Sequence, residues 1–141
     1  MSENEREETR RERGERTLSR IHSATGDGVV AALKEIAPDF AGMLVDFPFG
    51  DVYSRPGLDL RSRQIATIAA LVTLGHAERE LRWHIRGGLN VGLTRNEITE
   101  VITQMAVYAG FPAAVNALFI LRDVFAEIDD ETAEEILQDD A

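Results

Sequence analysis

The chain of 141 residues contains no cysteine, which excludes disulfides, thiolate nucleophiles and zinc–thiolate sites. It also has no run of about 18 consecutive apolar residues, so the sequence predicts no transmembrane helix. The N-terminal stretch SENEREETRRERGER lacks the apolar segment of a signal peptide. We therefore expect a cytoplasmic protein.

Sequence motifs for metals and nucleotides are missing too. The chain has three histidines, and none of them belongs to an H-x-x-x-H or E-x-x-H pair. Glu80 and His84 are four residues apart and could share one helix face, but no third ligand is evident. Gly87 and Gly88 lie inside a helical pattern, whereas the glycines of a dinucleotide-binding loop follow a strand. The sequence therefore predicts neither a metal site nor a cofactor.

The net charge of −10 is distributed unevenly along the chain. Residues 96–141 carry one arginine against eleven acidic side chains, whereas residues 55–95 carry seven arginines against three acidic side chains. An acidic surface repels nucleic acids and anionic membranes, so neither is an expected partner. The basic segment has the charge that binding a small anionic substrate would need.

Apolar residues recur with helical spacing and no segment shows the alternation of a strand, so the sequence predicts an all-α fold. A chain of this length has room for one hydrophobic core. We expect a charged, solvated N-terminal arm over residues 1–16, because Glu and Arg alternate there. This arm should be followed by a helical domain over residues 17–128. The last residues, 129–141, should form an acidic tail that contains one short helix at most.

Two helices deserve separate predictions. One should begin at Pro38 and end at Pro48 and Gly50, and its apolar face should carry Phe40, Met43, Leu44 and Phe47. The other, over residues 60–74, has so little polar surface that we expect it to be buried nearly all round, against a second subunit.

The sequence also contains clear local signals further along the chain. Thr94 and Glu97 form a capping box, and Pro112 should open the last helix. Because two glycines at 87 and 88 cost helix stability, we expect another backbone to pass close to them.

His84 is the candidate for proton transfer, since it lies on the apolar face of a helix within the basic segment. The alternative is a core histidine bonded to a backbone carbonyl. His22 and His76 should be exposed or lie in loops. Arg55 and Arg63 are candidates for binding a carboxylate, with a structural salt bridge as the alternative for each. Arg61 is expected on the solvated face.

Three further polar residues could contact a substrate. Tyr53 and Tyr108 could donate hydrogen bonds to a developing oxyanion, although such tyrosines are more often core residues with a satisfied hydroxyl. Asn116 is a polar residue in an apolar helix, and the same two readings apply to it.

Three segments together resemble the carboxymuconolactone decarboxylase family, which is related to alkylhydroperoxidase D: GDVYSRPGLDLRSRQIATIAALVTLG, ELRWHIRGGLNVGLTRNEI and QMAVYAGFPAAVNAL. The peroxidase branch uses C-x-x-C-x-x-x-H, and aligning that histidine on His84 places Ala77 and Glu80 at the cysteine positions. Gln64 and Ile65 stand near the position of that branch's glutamate. Thiol peroxidase chemistry is therefore excluded.

This resemblance implies an alkylhydroperoxidase D-like helical domain assembled into a trimer or hexamer, with sites near subunit contacts. It also implies cofactor-independent decarboxylation of 4-carboxymuconolactone to 3-oxoadipate enol-lactone, a step of aromatic catabolism through protocatechuate. The corresponding hypothesis makes His84, Arg63 and Tyr108 catalytic and Arg55, Tyr53 and Asn116 substrate-binding. Two alternatives are a related lyase or isomerase acting on another small carbonyl acid, and a non-catalytic helical oligomer.

Overall fold

The computed structural model describes residues 6–23, 26 and 28–141, and these residues contain helices but no strand, as predicted. They form two compact units, Met1–Leu60 and Arg61–Ala141. The first unit contains α1 (Arg10–Ile21), α2 (Val29–Ile36), α3 (Pro38–Leu44) and a π-helix (Val45–Tyr53). The second contains α4 (Leu60–Leu74), α5 (Glu78–Asn90), α6 (Arg95–Tyr108) and α7 (Phe111–Asp139).

In the first unit, α1 packs along the π-helix and is held there by arginines. Arg10 and Arg11 form ion pairs with Asp51 and Asp46, respectively, and Arg13 Nε donates to a backbone carbonyl of the π-helix over 2.7 Å. Gly14 makes this close approach possible, since a Cβ there would collide with a carbonyl oxygen of the π-helix. The charged stretch that we expected to be solvated thus contributes, from Arg10 onward, to packing.

The prediction that Pro48 and Gly50 end a helix is wrong. The chain runs from α3 straight into the π-helix, whose wider turn accommodates a proline ring that would clash with a carbonyl in an α-helix. Within a single chain the predicted apolar face is mostly exposed. Phe40, Met43 and Phe47 are exposed and Leu44 is partly buried, while the small residues Ala41 and Gly42 of α3 are buried.

The second unit has a core built from all four of its helices. Ile68 and Val72 of α4 meet buried side chains of α5, α6 and α7 there, among them Leu81, Ile102 and Leu121. Within one chain α4 is buried on one face only, and Leu74 is 56% exposed. The predicted burial of α4 all round is therefore not achieved inside this unit, and its burial against a second subunit stays a prediction.

Two of the predicted local signals in this unit are confirmed. The capping box of Thr94 and Glu97 is present, and Pro112 lies in the first turn of α7. The expectation of a close backbone is wrong for Gly88, which is packed tightly against side chains instead. A Cβ there would lie 3.0 Å from a methyl of Leu93 and 3.4 Å from one of Ile68.

The last helix is longer than predicted. It runs without interruption to Asp139, so the expected acidic tail is mostly helical. Acidic residues of its second half pair with arginines of the preceding helices, Glu131 with Arg86 and Asp129 with Arg95. Helices thus cross both of the predicted domain boundaries, which themselves stay predictions. In the described part of the chain, no helix combines the length and apolar character that a bilayer span requires.

Candidate active site

His84 contacts Gln64 within the second unit. The imidazole Nδ1 lies 3.0 Å from Oε1 of Gln64, which joins α5 to α4. Gln64 is fully buried, on the face of α4 that also buries Ile68 and Val72, whereas His84 is partly buried. The indole ring of Trp83 stands edge-on to the imidazole, with the ring centroids 5.2 Å apart. His84 therefore has a polar contact with Gln64 and an aromatic contact with Trp83.

Sequence reasoning assigned no role to Gln64. Its Nε2 is buried and has no hydrogen-bond partner among the residues that the structure describes. The signal that could have identified it is its spacing, since Gln64 stands four and eight residues before the buried Ile68 and Val72. A polar side chain on the buried stripe of a helix needs a partner.

Arg63 precedes Gln64 in the first turn of α4 and is partly buried. The other two predicted site residues of this unit lie elsewhere. Tyr108 ends α6 and is 78% exposed. Asn116 is exposed on α7 and lines a groove of about 460 Å³ together with His76 and Glu78. His84, Arg63 and Tyr108 do not line that groove.

Tyr53 and Arg55 belong to the first unit. Tyr53 is the last residue of the π-helix, and its ring packs against that of Phe49 with centroids 5.4 Å apart. Arg55 is exposed in the turn that follows. Ser54 anchors this turn by donating its hydroxyl to the carbonyl of Gly50 over 2.6 Å.

Much of the basic charge that we expected to bind a substrate forms ion pairs between helices instead. Several arginines of this basic segment form ion pairs within the second unit, among them Arg61, Arg82, Arg86 and Arg95. Hydrogen bonds from Arg86 and Arg95 hold the pKa values of Glu131 and Asp129 below their usual range. The charge reversal along the sequence is thus partly a complement to the acidic α7.

Three side chains outside the proposed site test the expectations about exposure. The side chain of Arg61, expected on the solvated face, is 43% exposed and forms an ion pair with Glu97 of α6. His22, expected to be exposed or in a loop, follows the last residue of α1 and so lies outside the helix, but it is buried. The expectation for His76, which is exposed, is confirmed.

Residues 38–123, from the start of α3 into α7, match the carboxymuconolactone decarboxylase family, and this span contains all six predicted site residues. This chain belongs to that family. The family resemblance predicted from the three sequence segments is therefore confirmed. The absence of cysteine places the chain outside the thiol peroxidase chemistry of the related branch.

Individual relatives support the same assignment. A 4-carboxymuconolactone decarboxylase of Acinetobacter baylyi is 40% identical over 96 residues, which are 68% of this chain and 71% of that protein. A 15.0 kDa protein of Paracoccus denitrificans is 38% identical over 101 residues, which are 71% and 75% of the two chains. A nitrosuccinic acid decarboxylase of Metarhizium robertsii is 32% identical over 89 residues, 63% and 62% of the two chains.

Proposed function

We propose that this protein decarboxylates 4-carboxymuconolactone to 3-oxoadipate enol-lactone without a cofactor. The broader statement, that it is a carboxy-lyase, follows from its family and from the decarboxylases to which it is similar. The observation that carries the specific proposal is the 40% identity to a 4-carboxymuconolactone decarboxylase over 68% of the chain. The His84–Gln64 pair supplies a titratable group suited to the chemistry.

The substrate can serve as its own electron sink. Its departing carboxylate lies γ to the lactone carbonyl across a carbon–carbon double bond, so the electron pair released with CO₂ delocalises into that carbonyl. The protein has three tasks: to hold an anion, to stabilise the dienolate oxygen and to deliver one proton to carbon.

In this proposal each task has a residue. Arg63 and Arg55 bind the substrate carboxylates, because guanidinium groups pair with carboxylates in a bidentate geometry. His84, as imidazolium, gives its proton to the dienolate and is reprotonated by solvent. Tyr108 or Tyr53 donates a hydrogen bond to the lactone oxygen. Asn116 is the remaining proposed substrate contact.

Turnover of the lactone tests the proposal directly. The purified protein should consume 4-carboxymuconolactone and release CO₂, and His84→Ala should lower kcat by about 10²–10⁴-fold, the usual contribution of one general acid. His22→Ala is the control, since it also removes an imidazole but one that lies at the end of α1 in the first unit. Full activity of His84→Ala would show that His84 is structural.

A related decarboxylation is the second candidate, favoured by the 32% identity to a nitrosuccinic acid decarboxylase. A nitro group adjacent to the reacting carbon can accept the released electron pair as a lactone carbonyl does. Nitrosuccinate and a set of small keto acids should therefore be assayed beside the lactone. Faster turnover of one of these acids would replace the proposed substrate, and turnover of none would favour a non-catalytic oligomer.

A further inference from the structure

Gln64 lies deep in the second unit and contacts the proposed acid without being exposed to solvent itself. We propose that Gln64 is a positioning residue that keeps the proton of neutral His84 on Nδ1 and reserves Nε2 for proton exchange with the substrate. The inference rests on the proposed function for the role of His84, but the tautomer it predicts can be measured without turnover.

The first step of the argument is the direction of the hydrogen bond. A neutral imidazole has one N–H donor and one acceptor nitrogen, and a carbonyl oxygen such as Oε1 of Gln64 can only accept. Oε1 lies 3.0 Å from Nδ1, and in this orientation of the amide a hydrogen bond forms only if Nδ1 carries the proton. The opposite orientation of the amide would place Nε2 of Gln64 against Nδ1 and would demand the other tautomer, so the two arrangements make opposite predictions.

The second step concerns the cost of placing a glutamine there. Gln64 lies on the same buried stripe as Ile68 and Val72, where an apolar side chain would fill the space with no polar group to satisfy. Instead, its Nε2 is buried with no hydrogen-bond partner among the described residues. A buried amide with an unsatisfied donor is unfavourable for folding, so its use in the core is explained by what its Oε1 does for His84.

The third step links the tautomer to proton delivery. In the imidazolium form both nitrogens carry protons, and the one on Nε2 can pass to the dienolate carbon. The neutral imidazole left behind keeps its Nδ1–H on Gln64, so the hydrogen bond persists through the transfer and the ring does not need to turn. Solvent then reprotonates Nε2.

Gln64 carries no charge, and this affects the acidity of His84. A carboxylate at the same position would also accept the Nδ1 proton, but it would stabilise the imidazolium and make the acid weaker. An amide orients the ring with a smaller effect on its acidity. Gln64→Glu therefore separates orientation from charge.

The test is nuclear magnetic resonance of the full chain labelled with ¹⁵N-histidine, with the His84 signals assigned by their loss in His84→Ala. At pH values above the titration midpoint of His84, we expect the neutral imidazole of the wild type to carry its proton on Nδ1. In Gln64→Leu this preference should be lost, and kcat should fall by about 10–100-fold, as for other residues that orient a functional histidine. KM should change little, because Gln64 does not contact the substrate in this proposal.

Two further variants complete the design. Gln64→Glu should keep the proton on Nδ1 and raise the titration midpoint of His84 by about one pH unit or more, moving the pH profile of kcat with it. Ile68→Val, one turn along the same buried stripe, is the packing control and should leave the tautomer and the pH profile unchanged. If Gln64→Leu does not fold, the wild type and Gln64→Glu still decide the question.

The inference would be overturned if neutral His84 in the wild type carried its proton on Nε2. It would also be overturned if the His84 tautomer were unchanged in Gln64→Leu, or if the His84 titration midpoint were unchanged in Gln64→Glu. These outcomes differ from failure of the proposed function. Full turnover by His84→Ala would remove the acid role while the spectra still reported the tautomer. Conversely, if His84 is essential for turnover but its tautomer does not depend on Gln64, the proposed function stands and the positioning role of Gln64 is rejected.

Discussion

Arg61 and Arg63 lie two positions apart in the first turn of α4. Two residues of an α-helix so spaced point about 200° apart around the helix axis. Arg61 pairs with Glu97 of α6, so part of its charge is used within the fold. Arg63 adjoins the residue that contacts His84. The two arginines therefore form a matched pair for testing where the substrate anion binds.

We expect Arg63→Gln to lower kcat/KM for the lactone by about 10–100-fold, because a hydrogen bond to a charged group is worth about 1.5–3 kcal/mol. Arg61→Gln removes the same charge and should change kcat/KM by less than about threefold. Steady-state kinetics of the two variants at equal ionic strength makes the comparison. Equal losses in both would point to general electrostatic attraction rather than a binding role for Arg63.

At the scale of elements, α7 depends on arginines of α5 and α6 for its second half. Every residue from Asp129 to Asp139 is exposed, so few apolar contacts hold this part of the helix. Arg86 forms two hydrogen bonds of 3.0 Å to the carboxylate of Glu131 and another to Glu127. Ion pairs thus take the place of apolar packing there.

Removing Arg86 should loosen the end of α7. In Arg86→Ala, amide hydrogen exchange over residues 128–139 should become faster, and the difference from the wild type should shrink at 1 M salt because exposed ion pairs are screened. Arg79→Ala is the control, since Arg79 is exposed on the same helix. Equal exchange in Arg86→Ala and the wild type would show that the helix is stable without this arginine.

The contact between α1 and the π-helix should be sensitive to acid. Hydrogen bonds from Arg11 and Arg10 hold the pKa values of Asp46 and Asp51 below the usual value. A carboxyl group whose pKa is lowered by folding adds stability above its unfolded pKa of about 3.9, and that stability is lost as the pH falls through the folded pKa. The contact should therefore be intact from pH 7 to 5 and weaken below about pH 4.

Amide chemical shifts of α1, followed from pH 7 down to about pH 2.5, would measure this change. Asp51→Asn should weaken the contact already at neutral pH and reduce its response to acid. Asp39→Asn removes a carboxylate that is exposed on α3, and this variant should behave as the wild type. An α1 that keeps its shifts throughout the titration would show that Gly14 and apolar packing hold the helix without the ion pairs.

At the scale of the whole molecule, the exposed apolar residues support the predicted homo-oligomer. Large apolar side chains are exposed on α3 and the π-helix, and others where α6 ends and α7 begins, including Phe47, Val107 and Phe111. A single soluble chain rarely exposes so many. We propose a trimer or a hexamer, as the family resemblance implies.

Light scattering after size exclusion should give a mass three or six times the 15.6 kDa of one chain. Phe111→Asp or Phe47→Asp should reduce that mass, because burying a carboxylate in an apolar contact is unfavourable. Leu137→Asp is the control, since Leu137 is equally exposed but lies outside the family region of residues 38–123. A monomeric wild type at micromolar concentration would contradict the proposal.

The sequence by itself determined the features that depend on a few neighbouring residues. The all-α class, the capping box at Thr94 and the family all followed from periodicity and motifs. The sequence did not predict that the helical chain continues through Pro48, since a π-helix accommodates a proline that would clash inside an α-helix. The sequence did not predict the length of α7 either, because its acidic residues indicate a solvated tail as long as their arginine partners are unknown.

Only the tertiary structure decided which polar side chains meet. The sequence marked His84 as a candidate but did not identify Gln64, which lies 20 residues away and reaches it from another helix. The pairing of Arg86 with Glu131 spans 45 residues. Local signals act through backbone geometry within one or two turns, whereas the environment of a charge or a proton depends on the packing of helices that are distant along the chain.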